Sequence, residues 1–181
     1  PEQQDIPICN AGIMSVDGKH LFDLLDAVGN DNAKEEFYLT DIVAIARGKG
    51  FSCMVAEVTD EREVMGVNAR AELAIAELVM QERLREAAMA NGATLTDPGT
   101  VYFSFDTNLG RDVTIGPNVV FGPGVSVADN VEIRAFCHLE GTEIAGGAII
   151  GPFARLRPGA RIGVDAHIGN FVEIKEALIE T

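Results

Sequence analysis

The chain has 181 residues and carries 28 acidic against 14 basic side chains, a formal net charge of −14. A surface this acidic repels phosphate backbones and anionic lipid, which excludes non-specific nucleic-acid binding and requires any anion site to be local. Hydrophobic residues make up 47% and charged residues 23%, the composition of a folded globular chain, and no apolar run is long enough to insert in a membrane as a helix. No secretory leader pattern opens the chain. Cys9, Cys53 and Cys137 are far apart and lack zinc spacing, which fits reduced thiols in a cytoplasmic protein.

In chain order, Ile8–Val16 reads as a strand and Asp17-Gly18 as a turn. His20–Val28 has helical spacing of its apolar residues. Phe37–Gly50 follows as a second helical stretch, with Thr40 as its N-cap and Gly48 and Gly50 as stops. Phe51–Val58 reads as a second strand. Ala69–Ala90 is rich in strong helix formers and predicts a helix about 30 Å long, a spacer or lever between two unlike halves.

From Leu109 the grammar changes. An aliphatic or aromatic residue recurs every sixth position through Ile115, Phe121, Val127, Ile133 and Leu139; one step shortens to five, reaching Ile144, and the six-residue step resumes to Ile174. Four positions after each sits a small or aliphatic residue, from Val113 to Leu178, broken only at Glu143. A period of six predicts a parallel β-helix: each hexapeptide is one short strand and a corner, and three make a triangular coil of eighteen residues. Residues eighteen apart then stack about 4.8 Å from one another. Thr181 falls in mid-coil after about four coils.

That geometry stacks Arg157 on Lys175. Two like charges so placed repel, and either a bound phosphate lies between them or they splay into solvent. Arg155 and Glu173, also eighteen apart, are expected to pair. His138 and His167 are out of phase for one edge, which argues against a shared metal within one subunit. In the first half, Asn10, Thr40 and Asn68 are polar residues at strand ends or helix starts. They suit a sugar hydroxyl, a base edge or hydrated magnesium, and equally Asx-turns and caps.

Several segments together resemble a known family: Asn10–Ile13 (NAGI), Glu36–Asp41 (EFYLTD), Gly66–Arg70 (GVNAR), Gly151–Ala160 (GPFARLRPGA) and Gly169–Lys175 (GNFVEIK). They are similar, over essentially the whole chain, to the bacterial bifunctional N-acetylglucosamine-1-phosphate uridyltransferase and glucosamine-1-phosphate N-acetyltransferase. The resemblance implies α/β plus all-β architecture. Residues 1–68 would be the C-terminal part of a Rossmann-like nucleotidyltransferase domain, 69–91 a linker helix, and 92–181 an incomplete left-handed parallel β-helix that forms a homotrimer. It implies acetyl transfer from acetyl-CoA to glucosamine-1-phosphate, then uridyl transfer from UTP with Mg2+. Carried over by motif, Asn10 resembles a sugar-nucleotide contact, Tyr38 and Thr40 line the sugar pocket, and Asn68 is a magnesium ligand. Arg157 and Lys175 resemble the cations that hold the sugar phosphate in that family. The family's glycine-rich nucleotide loop, the acidic magnesium partner and the histidine base are absent from the sequence. The chain is therefore expected to be an internal portion of a longer enzyme, with no catalytic residue of its own and inactive alone. The alternatives are a sugar nucleotidyltransferase whose β-helix serves assembly only, a non-catalytic trimerisation module, and a β-helical zinc enzyme.

Overall fold

The structure, a computed structural model, describes residues 9–181. They divide into two compact units, one ending at Gly66 and the other spanning Val67–Thr181.

In the first unit the helices form and the strands do not. Helix α1 spans Gly18–Leu25 and α2 spans Asp41–Gly48. Asp17 opens α1 rather than making a free turn: its carboxylate accepts the Lys19 N–H at 3.0 Å. Thr40 occupies the N-cap position of α2, but its hydroxyl makes no capping bond. Leu24, Ile42 and Ala46 form a small buried cluster. Of the first expected strand, Ile8 lies outside the described residues, and 9–16 is irregular. The second, Phe51–Val58, is irregular too, and Ile13 and Met54 are 73% and 94% exposed. A strand is one side of a hydrogen-bonded pair, and among the described residues every sheet belongs to the second unit. The Rossmann-like sheet expected within 1–68 is thus not present among them.

The second unit opens with α3, Arg70–Ala90. Its start is closed by Glu72, whose carboxylate accepts the N–H groups of Asn68 and Ala69 at 2.5 and 2.9 Å. Gln81, at mid-helix, is 1% exposed. Its Nε2 donates to the Phe103 carbonyl at 2.7 Å, and its Oε1 accepts the Phe103 N–H at 2.8 Å. Arg85 Nε donates to the Val101 carbonyl at 2.8 Å, and Leu84 and Ala88 pack on the apolar core of the coils. The helix expected as a spacer is therefore, from Gln81 onward, a lid on the first coil. Gln81 supplies the two bonds that a neighbouring strand would have made there.

Fourteen two-residue strands follow among the described residues. They are β1 (Thr94–Leu95), β2 (Asn108–Leu109), β3 (Thr114–Ile115), β4 (Val120–Phe121), β5 (Ser126–Val127), β6 (Glu132–Ile133) and β7 (His138–Leu139), then β8 (Glu143–Ile144), β9 (Ile149–Ile150), β10 (Arg155–Leu156), β11 (Arg161–Ile162), β12 (His167–Ile168), β13 (Glu173–Ile174) and β14 (Leu178–Ile179). They stack as three parallel sheets in the orders β1-β3-β6-β9-β12, β13-β10-β7-β4 and β14-β11-β8-β5-β2. This is a three-sided parallel β-helix of about five coils. The second residue of most strands points inward: Ile115, Ile133, Leu139, Ile150 and Leu156 are at most 1% exposed. Burying each stabilises by about 1.5–3 kcal/mol, which explains how strands of two residues suffice.

The register departs from a uniform eighteen in three places. The first coil starts at Thr94, well before the visible repeat. It pairs Leu95 with Ile115, because the turn at Pro98–Thr100 adds two residues and hides the period. At the five-residue step Thr142, not Glu143, takes the small inward place. It is 1% exposed, and its hydroxyl donates to the Ala160 carbonyl at 2.8 Å. A second short step lies between Ile174 and Ile179. Arg161 therefore pairs with Leu178, which faces outward at 64% exposure, while Ala177 packs on the core. Both 178 and 179 are aliphatic, so spacing alone did not separate them.

Nearly every corner holds one residue in the left-handed region. Asp112, Asn118, Asn130 and Asp165 adopt φ of 56–60°, as short polar side chains do readily. On one edge three phenylalanines take that place: Phe136, Phe153 and Phe171, at φ of 61°, 57° and 57°. That conformation costs roughly 1–2 kcal/mol per residue. The rings stack with centroids 4.9 and 5.1 Å apart, each pair contributing about 0.5–1.5 kcal/mol, which offsets much of it.

Candidate functional site

Strands β10 and β13 place the two cations singled out by sequence. Leu156 pairs with Ile174, and the Arg157 N–H donates to the Ile174 carbonyl at 2.9 Å, so Arg157 and Lys175 leave the same edge one coil apart. The expected Arg155–Glu173 pair is present, with Nη1 and Oε1 3.6 Å apart. Both side chains are more than half exposed, so the pair contributes at most about 1 kcal/mol. Glu173 sits closer to Arg157, accepting from its Nη1 at 3.2 Å, and Lys175 Nζ lies 3.5 Å from Glu176 Oε1. The two stacked cations thus each hold a carboxylate, which relieves the repulsion expected between them.

Three cations (Arg155, Arg157, Lys175) stand here with the carboxylates of Glu173 and Glu176, on a chain of net charge −14. A guanidinium fork and a mobile ammonium one coil apart are suited to a phosphate monoester, the first by paired hydrogen bonds and the second as a point charge. The contacts to Glu173 and Glu176 are solvent-exposed, so an entering anion displaces weak partners.

Sequence spacing missed the third member of this column. Counting eighteen back from Arg157 gives Leu139; the short step makes the true neighbour Glu140, since Leu139 pairs with Leu156 and the Glu140 N–H donates to the Leu156 carbonyl at 2.9 Å. The edge therefore reads Gly122, Glu140, Arg157, Lys175. The five-residue step read from the sequence already carries Glu140 to this column, and a fixed count of eighteen passes over it.

The candidates of the first half lie elsewhere. Asn10 Oδ1 accepts the Gly12 N–H at 2.9 Å, an Asx-turn. Tyr38 is 37% exposed, and slight desolvation with a hydrogen bond to Glu36 holds its phenol above the usual range. Among the described residues no hydrogen bond or ion pair joins Asn10, Tyr38 and Thr40 to one another. Asn68 precedes α3, and its backbone is tied to Glu72. Magnesium asks for several oxygen ligands, one or two of them carboxylates. Here Asn68 offers an amide oxygen, Glu72 is occupied by the helix start, and no group of three or more His, Cys, Asp or Glu among the described residues could hold a metal. The residues described do not fit a magnesium site. His138 lies on β7 and His167 on β12, in different sheets, as their phasing required.

The thiols differ sharply. Cys9 and Cys53 are exposed and Cys137 is buried. Burial pushes the Cys137 thiol up, leaving it less thiolate at neutral pH. Brief alkylation of the native chain is expected to label Cys9 and Cys53 and to spare Cys137 until denaturant is added. Mass spectrometry of the labelled peptides checks this, and rapid native labelling of Cys137 would contradict the packing.

Residues 106–141 match the family profile described as bacterial transferase hexapeptide (six repeats). The chain is 61% identical over 180 residues to the bifunctional protein GlmU of Paramagnetospirillum magneticum, covering 99% of this chain and 40% of that protein. It is 54% identical over 180 residues, with the same coverage, to GlmU of Azorhizobium caulinodans. The chain belongs to the GlmU family. It spans about two-fifths of the length of these GlmU relatives. A perosamine N-acetyltransferase of Caulobacter crescentus, solved with CoA and GDP-perosamine, aligns with a TM-score of 0.33 and 20% identity, over 76% of this chain and 67% of its own; at those values it decides nothing. The hexapeptide match lies wholly within the coils and ends at 141, just after Glu140. Among the described residues no helix is long and apolar enough to cross a membrane.

Proposed function

We propose that the coils belong to an acetyltransferase site acting on glucosamine-1-phosphate, in a cytoplasmic bifunctional enzyme that makes UDP-N-acetylglucosamine. The supporting observation is the placement of Arg157 and Lys175 on one edge, one coil apart, each with an exposed and replaceable carboxylate partner. In this reading the sugar phosphate displaces Glu173 and Glu176 from the two cations. That fixes the amine, and the nitrogen attacks the thioester carbonyl of acetyl-CoA. The C–N bond forms as the C–S bond breaks, and the proton given up by the amine ends on the departing sulfur, so CoA leaves as its thiol. Arg157 and Lys175 bind and orient; proton transfer is assigned to no residue of this chain.

The same reading carries the remaining expectations: 1–68 as part of a Rossmann-like uridyltransferase domain using UTP, 69–91 as linker, and 92–181 as a left-handed coil assembling as a homotrimer. Asn10, Tyr38, Thr40 and Asn68 then face the sugar nucleotide.

Arg157→Ala and Lys175→Ala, made in the full-length protein, are each expected to raise KM for glucosamine-1-phosphate about 10- to 100-fold, the loss of one charged phosphate contact. Uridyl transfer is expected to stay within about twofold. Equal damage to both reactions, or no change in KM, would refute the assignment. One observation favours a β-helix used for assembly only: both cations already hold carboxylates. In that case the substitutions leave acetyl-donor consumption untouched or absent throughout.

A further inference from the structure

The edge that carries the two cations continues below them with an acid. Glu140 stands one coil before Arg157 in the same column. Its stem lies over Gly122: a Cβ built on that glycine would come within 3.1 Å of Glu140 Cγ and 3.3 Å of its Cβ. The glycine is what lets the glutamate lie along the edge. Glu140 is partly buried, and its carboxylate makes no hydrogen bond or ion pair among the described residues, whereas every other charged group of the cluster is paired. Arg157 turns to Glu173 on the opposite side instead. The column therefore presents, from one coil to the next, an unpaired negative charge and then two positive ones, at spacings of about 4.8 Å.

Two stacked cations alone do not distinguish one phosphate from two. A diphosphate extends the same recognition by roughly one more coil, and a third cation on the edge would welcome it. Here the next position toward the start of the coil is a carboxylate. We propose that Glu140 is a specificity-determining residue, restricting the Arg157–Lys175 site to phosphate monoesters and rejecting pyrophosphate esters. This rests on the reading of Arg157 and Lys175 as a phosphate site. It gives that reading a selectivity: a sugar monophosphate enters, and a nucleoside-diphosphate sugar does not compete. Repulsion between Glu140 and a second phosphate about 5–8 Å away, in a solvent-exposed setting, amounts to about a 3- to 10-fold discrimination.

The test uses inorganic phosphate and inorganic pyrophosphate as probes, without divalent metal, on the unmodified chain, Glu140→Gln, Glu140→Lys and the Arg157→Ala/Lys175→Ala double variant. Binding to the double variant is subtracted as sites elsewhere. Glu140→Gln is expected to raise pyrophosphate affinity about 3- to 10-fold with phosphate affinity within about twofold. Glu140→Lys should extend the gain, and added salt should shrink it. Equal gains for both anions, or none for pyrophosphate, would overturn the role of Glu140 while leaving the phosphate site standing. Phosphate binding that survives the double variant undiminished would overturn both. Glu140 is a surface position, and Gln and Lys are ordered by charge, so a monotonic Glu, Gln, Lys series separates electrostatics from a folding defect.

Discussion

Replacing Gln81 by leucine is expected to lower the unfolding free energy of the coil unit by about 2–5 kcal/mol. Leucine is apolar and keeps the helix propensity, so α3 itself should persist. What disappears is the pair of bonds at 2.7 and 2.8 Å that Gln81 makes to the carbonyl and N–H of Phe103. Both backbone groups stay buried beneath α3, and each group left unpaired costs about 1–3 kcal/mol. Glu77 loses its contact with Gln81 Nε2 as well, but that bond is partly exposed and weighs less. Urea unfolding monitored by circular dichroism reads the loss. Glu77→Gln serves as control, with an expected change below about 0.5 kcal/mol. A Gln81→Leu chain as stable as the unmodified one would mean that α3 does not cap the first coil.

Gly151→Ala is expected to cost a similar amount, about 2–5 kcal/mol, by a different route. Gly151 has φ of +83°, where an L side chain is strained by roughly 1–2 kcal/mol. A Cβ built there also runs into Cys137 Sγ, a fully buried atom with no room to retreat, and overpacking of that kind costs about 1–3 kcal/mol. The two terms separate in a double-mutant cycle. Cys137→Ala opens the space, so Gly151→Ala should hurt less on that background by at least about 1 kcal/mol, while the backbone term remains. An additive cycle would show that the collision is relieved by a small shift of the coil.

The β-helix was legible because a six-residue aliphatic or aromatic period runs from Leu109, a spacing that fits neither an α-helix nor an ordinary hairpin. The stacking of Arg157 on Lys175 and the pairing of Arg155 with Glu173 followed by counting, and both are found. Counting failed where a corner changes length. The turn at Pro98–Thr100 hides the first coil, and a second short step sets Ala177 rather than Leu178 on the core. Glu140 escaped for the same reason: the short step moved it under Arg157. In the first half the alternating apolar residues of 9–16 and 51–58 describe segments able to be strands. Whether they are depends on a partner, which periodicity does not record. The period also does not say what a corner requires, which is a left-handed residue; at Phe136, Phe153 and Phe171 a stack of rings meets that requirement.

From its amino-acid order alone this protein has a triangular parallel coil, a long helix before it, and two cations brought to one edge. These follow from local periodicity, which every unit repeats and no distant contact can alter. The tertiary structure alone decided that Gln81 closes the first coil and that Glu173 serves two arginines. Each of these depends on which backbone groups and charges meet across coils, and a change of one residue in a corner moves every later side chain by one place.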